Sequence, residues 1–340
     1  MLWIAFFSAL IFSCVLTGLV RRYALAAQLI DYPNARSSHT APKPRGGGLA
    51  IVIVGAVGVS TLVAARIMEL RLAMGLIGGG AIVALVGFLD DRRSLPVRFR
   101  MLAHFAAAGI AMYALGGLPP IRLGEVVVDA GAAGYVLGAV GIVWTLNLFN
   151  FMDGIDGIAA SEAIFVAGAG SVLALLAGDA AGVASAGLLF TAACLGFLLW
   201  NWPPARIFMG DVGSGFVGYF IAVLAVGVAR ENSVALLVWL ILGGVFFVDA
   251  TVTFIRRLLQ GERFYEAHRS HAYQWLARRW SSHKRVTLLV LLVNFVWLLP
   301  CACVAMMYPT GAAWLVLVAL APLAVLTVLA GAGRRETGTH

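Results

Sequence analysis

Apolar runs long enough to cross the roughly 30 Å hydrocarbon core of a bilayer recur from one end of this chain to the other. That feature leaves little freedom of fold. Lipid offers no hydrogen-bond partners to open backbone groups, so each run must close its own amides as a helix. Eleven spans are expected, over 2–20, 46–65, 70–89, 99–117, 132–151, 158–177, 181–200, 212–229, 233–254, 286–306 and 311–331. The predicted fold class is therefore all-α, a polytopic membrane helical bundle. Only 12% of the residues are charged, against about 25% in soluble domains, which excludes an ordinary water-soluble fold. No fixed-period repeat, low-complexity tract or linker divides the chain, so one integral-membrane domain over 1–340 is expected.

Lysine and arginine orient the bundle. With the N-terminus on the periplasmic side, the inner segments are 21–45, 90–98, 152–157, 201–211, 255–285 and a cytoplasmic C-terminal tail. Together with Arg100 at the adjoining helix start, they hold 20 of the 24 basic side chains. Arg66, Arg71, Arg122 and Arg230 are left outside. That asymmetry follows the positive-inside rule. The net charge of +8 is thus a cytoplasmic charge, a topology signal first, and one that also suits anionic headgroups or a phosphorylated substrate. The first span has no basic leader and is followed by Arg21 and Arg22, which reads as an uncleaved anchor and not a signal peptide. Cys14, Cys194, Cys301 and Cys303 all fall in apolar spans without metal-ligand spacing and are read as packing residues.

Four polar clusters gather on the inner side: FLDDRRS at 88–94, NLFNFMDGIDG at 147–157, NWPPARIFMGDVGSG at 201–215 and AHRSHAYQ at 267–274. Asp90 and Asp91 close the third span. A charged residue there often only stops a helix. Two acids at a helix C-terminus, however, oppose its dipole and lie about 100° apart around the axis, which implies different tasks. Asp153 and Asp156 stand three apart, and Asn147 and Asn150 continue that stride one turn earlier. Hydrogen bonding between helices accounts for the asparagines alone; it explains paired acids poorly, and a functional site is favoured. Gly154 and Gly157 leave the adjacent backbone open to a ligand. Asp211 opens the eighth span between glycines, where a helix cap and a ligand are equally good readings. Asn201, Pro203 and Pro204 set a rigid turn ahead of it. His268 and His271 lie three apart in a basic loop with no cysteine near enough for a zinc site; with Arg269 they suit diphosphate oxygens.

Phosphoryl transfer asks little covalent work of a protein. It needs a metal such as Mg²⁺ held by one or two carboxylates plus substrate phosphates, cations on those phosphates, and in-line placement. The four clusters contain those parts.

In their order and spacing, DYPNARSSHTAPKPRGGGLAI, FLDD, NLFNFMDGIDGIA, PARIFMGDVGSGFVG and AHRSHAYQ make the chain resemble the polyprenyl-phosphate N-acetylhexosamine-1-phosphate transferases, glycosyltransferase family 4, over nearly its whole length. The single histidine pair looks more like the branch that initiates bacterial O-antigen or enterobacterial-antigen synthesis. The muramoyl-pentapeptide branch, kept as the alternative, has a motif richer in histidine. The resemblance implies transfer of a sugar 1-phosphate from a UDP-N-acetylated hexose to undecaprenyl phosphate, with UMP released, at the cytoplasmic face of a bacterial inner membrane. It implies Mg²⁺, or Mn²⁺ in its place, on Asp211 with Asp91 as a second ligand. It assigns catalytic roles to Asp90, Asp91, Asp153 and Asp156. Substrate contacts are expected from His39, Lys43, Arg45, Asn147, Asn150, Asn201, His268, Arg269 and His271. Arg98 is the expected replacement for a lysine that much of the family carries downstream of the acidic pair. Membrane lipids are further expected partners, nucleic acid is not, and a homodimer is compatible with the fold.

Two other classes fit less well. A secondary transporter would carry its ionisable residues near the midplane in broken, repeated helices, whereas these acids sit at helix ends and no repeat is present. A CDP-alcohol phosphotransferase would need further spaced acids after 153–157, and the sequence lacks them.

Overall fold

Each of the eleven apolar segments is helical in the computed structural model, which describes residues 2–33, 41–178, 180–262 and 269–335. In chain order the helices are α1 (Leu2–Ala26), α2 (Gly48–Ala64), α3 (Leu70–Ala73), α4 (Gly80–Arg92), α5 (Val97–Leu115), α6 (Ala133–Met152), α7 (Ile158–Leu176) and α8 (Ala181–Asn201). They continue as α9 (Asp211–Ala229), α10 (Ala235–Leu242), α11 (Gly244–Leu259), α12 (Ala272–Trp280), α13 (His283–Val293), α14 (Leu299–Met307) and α15 (Ala312–Ala330). Turns of π-helix at Met74–Gly79 and Asn294–Leu298 join α3 to α4 and α13 to α14. Two small antiparallel ribbons lie in loops: β1 (Ile30–Asp31) with β2 (Lys43–Pro44), and β3 (Ile121–Leu123) with β4 (Val126–Val128).

By length and composition the count of spans is smaller than eleven. Among the described residues eight helical stretches can cross a membrane, or nine if α10 and α11 are taken as one. Two physical reasons account for the difference. Helix α2 has 17 residues and so extends only about 25 Å, while α5 carries Arg98, Arg100 and His104 in its first turns. The expected span 233–254 is built from two helices, α10 and α11, which meet at 76°. The break falls at Gly243 and Gly244, a glycine pair of the kind that interrupts helices.

Helix α9 is the axis of the bundle. It is buried along its length, and α2, α4, α6 and α8 pack against it. Glycines permit the closest approaches. A methyl group at Gly48 would strike Gly213, one at Gly87 the backbone of Asp211, and one at Gly218 the backbone of Thr145 and Leu146. In lipid there is little hydrophobic drive between helices, so such contacts let backbones pack by van der Waals attraction. They also bring the ends of α2, α4 and α6 to the start of α9. Gly87→Val is therefore expected to lower stability by about 1–3 kcal/mol and to push Asp211 out of register. Thermal unfolding in detergent, with activity measured on the folded fraction, checks this; an unchanged midpoint would count against it.

Candidate active site at the start of helix α9

The loop before α9 is held by main-chain hydrogen bonds. Phe208 N donates to Pro44 O (2.9 Å), Gly47 N to Phe208 O (2.9 Å) and Gly48 N to Met209 O (2.9 Å). The glycine run at 46–48 therefore lies along 208–209, and Arg45 is delivered to the first turn of α9. Gly210 has φ +76° and ψ 168°, a backbone open to glycine and strained for other residues.

Asp91 caps that turn from the end of α4. Its carboxylate accepts from Asp211 N (3.0 Å) and Val212 N (3.2 Å) and is ion-paired with Arg45. The free amides of a helix start and its positive dipole end are thus met by an acid from another helix. Asp90 turns the other way. Its Oδ1 accepts from Leu95 N (2.6 Å) and its Oδ2 from Arg100 (2.6 Å). The same Arg100 nitrogen lies 3.7 Å from Asp211 Oδ2, and the Asp90 and Asp211 carboxyls touch. The side chain of Asp211 is 30% exposed, against 9% for Asp90 and 6% for Asp91. Asp211 is therefore the carboxylate a solvated ligand reaches first.

Asp153, in the turn after α6, completes the group. Burial first, then the charges of Asp211, Asp91 and Asp156, push its carboxyl well above the usual carboxylate range, and Arg45 opposes them. Asp156 behaves oppositely. It accepts from Ala205 N (2.9 Å), lies 3.3 Å from Lys43 Nζ and has His283 Nδ1 at 3.5 Å. Burial alone would raise its pKa, but His283, the Ala205 amide and Lys43 outweigh it and hold the group at about 2. A carboxyl depressed on folding binds fewer protons in the native state. Its stabilisation is full above the ordinary value near 3.8 and disappears as pH falls toward 2. It is on the order of 2 kcal/mol. The Asp156→Asn variant should lose that increment at pH 7 and show a flatter stability curve between about pH 5 and 2, read as thermal midpoint against pH.

The remaining expected residues divide by what they touch. Asn201 is consumed structurally: its Oδ1 accepts from Gly157 N (3.0 Å) and its Nδ2 donates to Ile207 O (2.9 Å), tying the turn after α6 to the loop before α9. Asn147 donates to Val143 O of its own helix (2.7 Å) and Asn150 to Ser214 Oγ (3.1 Å). Both asparagines line a cleft with Asp90, Arg100 and Asp211. Arg98 is exposed and lies over the Phe99 ring (5.3 Å); the cation that reaches the acids is Arg100. His271 is buried, with Nδ1 3.4 Å from Asp249 Oδ1, and Arg269 O accepts from Arg278 (3.0 Å). His39 and His268 lie outside the described residues.

Sequence reasoning missed three residues as site components: Arg100, His104 and Asp249. Arg100 and His104 are four apart and so share a face of α5, a signal available once Pro96 is read as the helix start. Asp249 accepts from Ala272 N (2.9 Å), Tyr273 N (3.0 Å) and Thr253 Oγ1 (3.1 Å). It holds the start of α12 as Asp91 holds the start of α9.

Among the described residues no three His, Cys, Asp or Glu side chains converge as a ready metal cage. That suits a hard cation completed by substrate phosphates and water. Half-buried Asp211 fits such an ion best. Asp90 and Asp91 fit less well, since the oxygens of Asp90 already face Leu95 N and Arg100 and those of Asp91 face Arg45 and two amides.

Residues 73–229 match the protein family described as Glycosyl transferase family 4. Over 299 residues the chain is 31% identical to the probable undecaprenyl-phosphate N-acetylglucosaminyl 1-phosphate transferase of Bacillus subtilis (strain 168), an alignment covering 86% of this chain and 82% of that protein. It is 29% identical over 315 residues to the decaprenyl-phosphate N-acetylglucosaminephosphotransferase of Mycobacterium tuberculosis, covering 84% and 78%. A shorter match of 226 residues, 35% identical, joins it to the phospho-N-acetylmuramoyl-pentapeptide-transferase of Heliobacterium modesticaldum, covering 61% and 65%.

Proposed function

We propose, for a chain that belongs to glycosyl transferase family 4 and transfers a sugar 1-phosphate to a polyprenyl phosphate, that the donor is a UDP-N-acetylhexosamine and the acceptor undecaprenyl phosphate. UDP-N-acetylglucosamine is the first donor to try, because both long-matching relatives are named for N-acetylglucosamine. The product would start a lipid-linked envelope glycan of the O-antigen kind. All eleven helical segments would cross the membrane with the N-terminus outside, an arrangement supported by the 20 of 24 basic residues it leaves on the inner side. The start of α9 then faces the cytoplasm.

The observation that carries the reading is the meeting of Asp90, Asp153 and Asp211 with Arg45 and Arg100 at one buried helix start. An oxygen of the acceptor phosphate attacks the β-phosphorus of the donor. The new P–O bond forms as the bond from that phosphorus to the oxygen bridging the α-phosphate breaks, and this oxygen leaves with UMP. Asp211 would hold Mg²⁺ with the Asp90 carboxylate beside it, and the ion when bound neutralises charge on the diphosphate. Arg45 and Lys43 bring positive charge to the same mouth. Asp90 accepts hydrogen bonds at both oxygens, which makes it a fixed anion more than a proton acceptor. The acceptor is already largely ionised near neutral pH (second pKa about 6), so little base catalysis is needed. Asp91 is reassigned from metal ligand to the residue that fixes α9.

The test is UMP release by purified protein given undecaprenyl phosphate, Mg²⁺ and a panel of UDP-sugars that includes UDP-N-acetylmuramoyl-pentapeptide. Turnover with N-acetylhexosamine donors is expected. Activity confined to the muramoyl donor would move the chain to that branch. Trapping of labelled sugar phosphate on the protein after rapid quench would replace direct attack by a two-step route through a carboxylate.

A further inference from the structure

Asp153 differs from the other acids of the site in how it is held. Among the described residues no hydrogen bond or ion pair reaches its carboxyl. Asp90, Asp91 and Asp156 each accept from at least two donors, and Asp211 has Arg100 near it. The place of the Asp153 carboxyl is therefore set by the main chain beneath it. That main chain is the end of α6, where the last carbonyls have no partner within the helix. Asp153 N reaches Asn150 O only at 3.4 Å, so the turn secures itself weakly.

One side chain from outside the turn holds it. Tyr273, in the first turn of α12, is 3% exposed. Its hydroxyl donates to Phe151 O (3.0 Å), and the Gly154 amide faces the same oxygen. Any side chain on Gly154 would run into that hydroxyl. The phenol thus touches the chain two residues before Asp153 and one residue after it. Its own main chain is fixed elsewhere, because Tyr273 N donates to Asp249 Oδ2 of α11 (3.0 Å). The ring also stacks on that of His271, with centroids 5.8 Å apart. The second half of the turn is moored separately, by Asn201 on Gly157 N and by Ala205 and Lys43 on Asp156. The first half depends on the phenol.

We propose that Tyr273 is the positioning residue for Asp153: its hydroxyl, bridging Phe151 and Gly154, fixes the turn that carries this carboxyl into the site. The proposal rests on the reading above, in which Asp153 is one of three acids meeting at the start of α9, and adds the residue that places it. A displacement of about 1 Å at a reacting centre costs on the order of a hundredfold in rate. Two lost hydrogen bonds should therefore be felt in kcat far more than in binding.

The experiment removes the hydroxyl and keeps the ring, in the full chain in detergent with Mg²⁺. Tyr273→Phe should lower kcat by about tenfold to a hundredfold. The donor KM, the acceptor KM and the Mg²⁺ needed for half-maximal rate should stay within about threefold. Amide hydrogen exchange gives a readout independent of turnover: peptides covering 150–155 should exchange about tenfold faster, and those covering 201–211 should not change. Replacing Tyr273 by 4-aminophenylalanine returns an N–H donor at the same reach and should bring kcat back to within about threefold of wild type. Faster exchange with kcat unchanged would overturn the proposal, since the place of the turn would not matter to the reaction. So would a fall in kcat with exchange unchanged, which would put the hydroxyl in the chemistry itself. A Tyr273→Phe protein that fails to fold, or whose KM values and Mg²⁺ requirement rise together, would mark a brace of the whole site and overturn it as well. Wild-type protein inactive with every N-acetylhexosamine donor is a separate result: it sinks the functional reading, while the exchange comparison still decides whether the hydroxyl holds the turn.

Discussion

Asp211→Asn is expected to cut UMP release roughly a thousandfold while leaving the thermal midpoint unchanged, because a divalent cation on a transferring phosphoryl group supplies several kcal/mol. Asp211 is more exposed, at 30%, than Asp90 or Asp91, and its side chain faces Arg100 and the Asp90 carboxyl. The main chain of α9 is held instead by its own amides on Asp91. The variant therefore removes a charge and not a brace. Activity titrated with Mg²⁺ is the measurement. Full turnover at unchanged Mg²⁺ would remove Asp211 from the metal site and leave Asp90 and Asp153 as the acids to examine.

Asp91→Ala should show the reverse pattern, a folding defect that carries activity down with it. Removal leaves the Arg45 guanidinium without its buried partner and two amides of α9 without acceptors. Breaking a buried pair on one side costs about 3–5 kcal/mol. Arg45→Met combined with Asp91→Ala should recover part of that loss, since the stranded charge is gone, although the amides remain unmet. Unfolding of the two single variants and the double variant gives the coupling directly. If Asp91→Ala keeps the wild-type midpoint but needs much more Mg²⁺, the original assignment of Asp91 to the metal is restored.

How far the sequence could be read varies with the physics involved. The helical segments were legible because a bilayer allows an apolar run only one local structure, and the segment from Ile158 to Leu176 matches almost to the residue. The bend at Gly243 was not, since a glycine pair permits a break without requiring one. Adjacent acids at 90 and 91 pointed to separate tasks from helix geometry alone. Which task each took depended on which helix lay on each side, and that is tertiary information. Arg98 and Arg100 show the limit well. Two residues apart on a helix they point in nearly opposite directions, so only the register of α5 decides which meets Asp90. Asn201 shows a related limit: the sequence marks a polar residue in a turn, and only the fold reveals its amide joining Gly157 to Ile207.

The hold of Asp249 on the start of α12 separates His271 from the chain that precedes it. Ser270 O accepts from Gly333 N (2.7 Å), and Arg257 meets Glu262 (3.1 Å) on the far side. Both ends of the stretch between Glu262 and Arg269 are therefore moored to other parts of the protein. His271 is thus positioned by the protein's interior: the grip of Asp249 on the amides of Ala272 and Tyr273 sets where its ring stands.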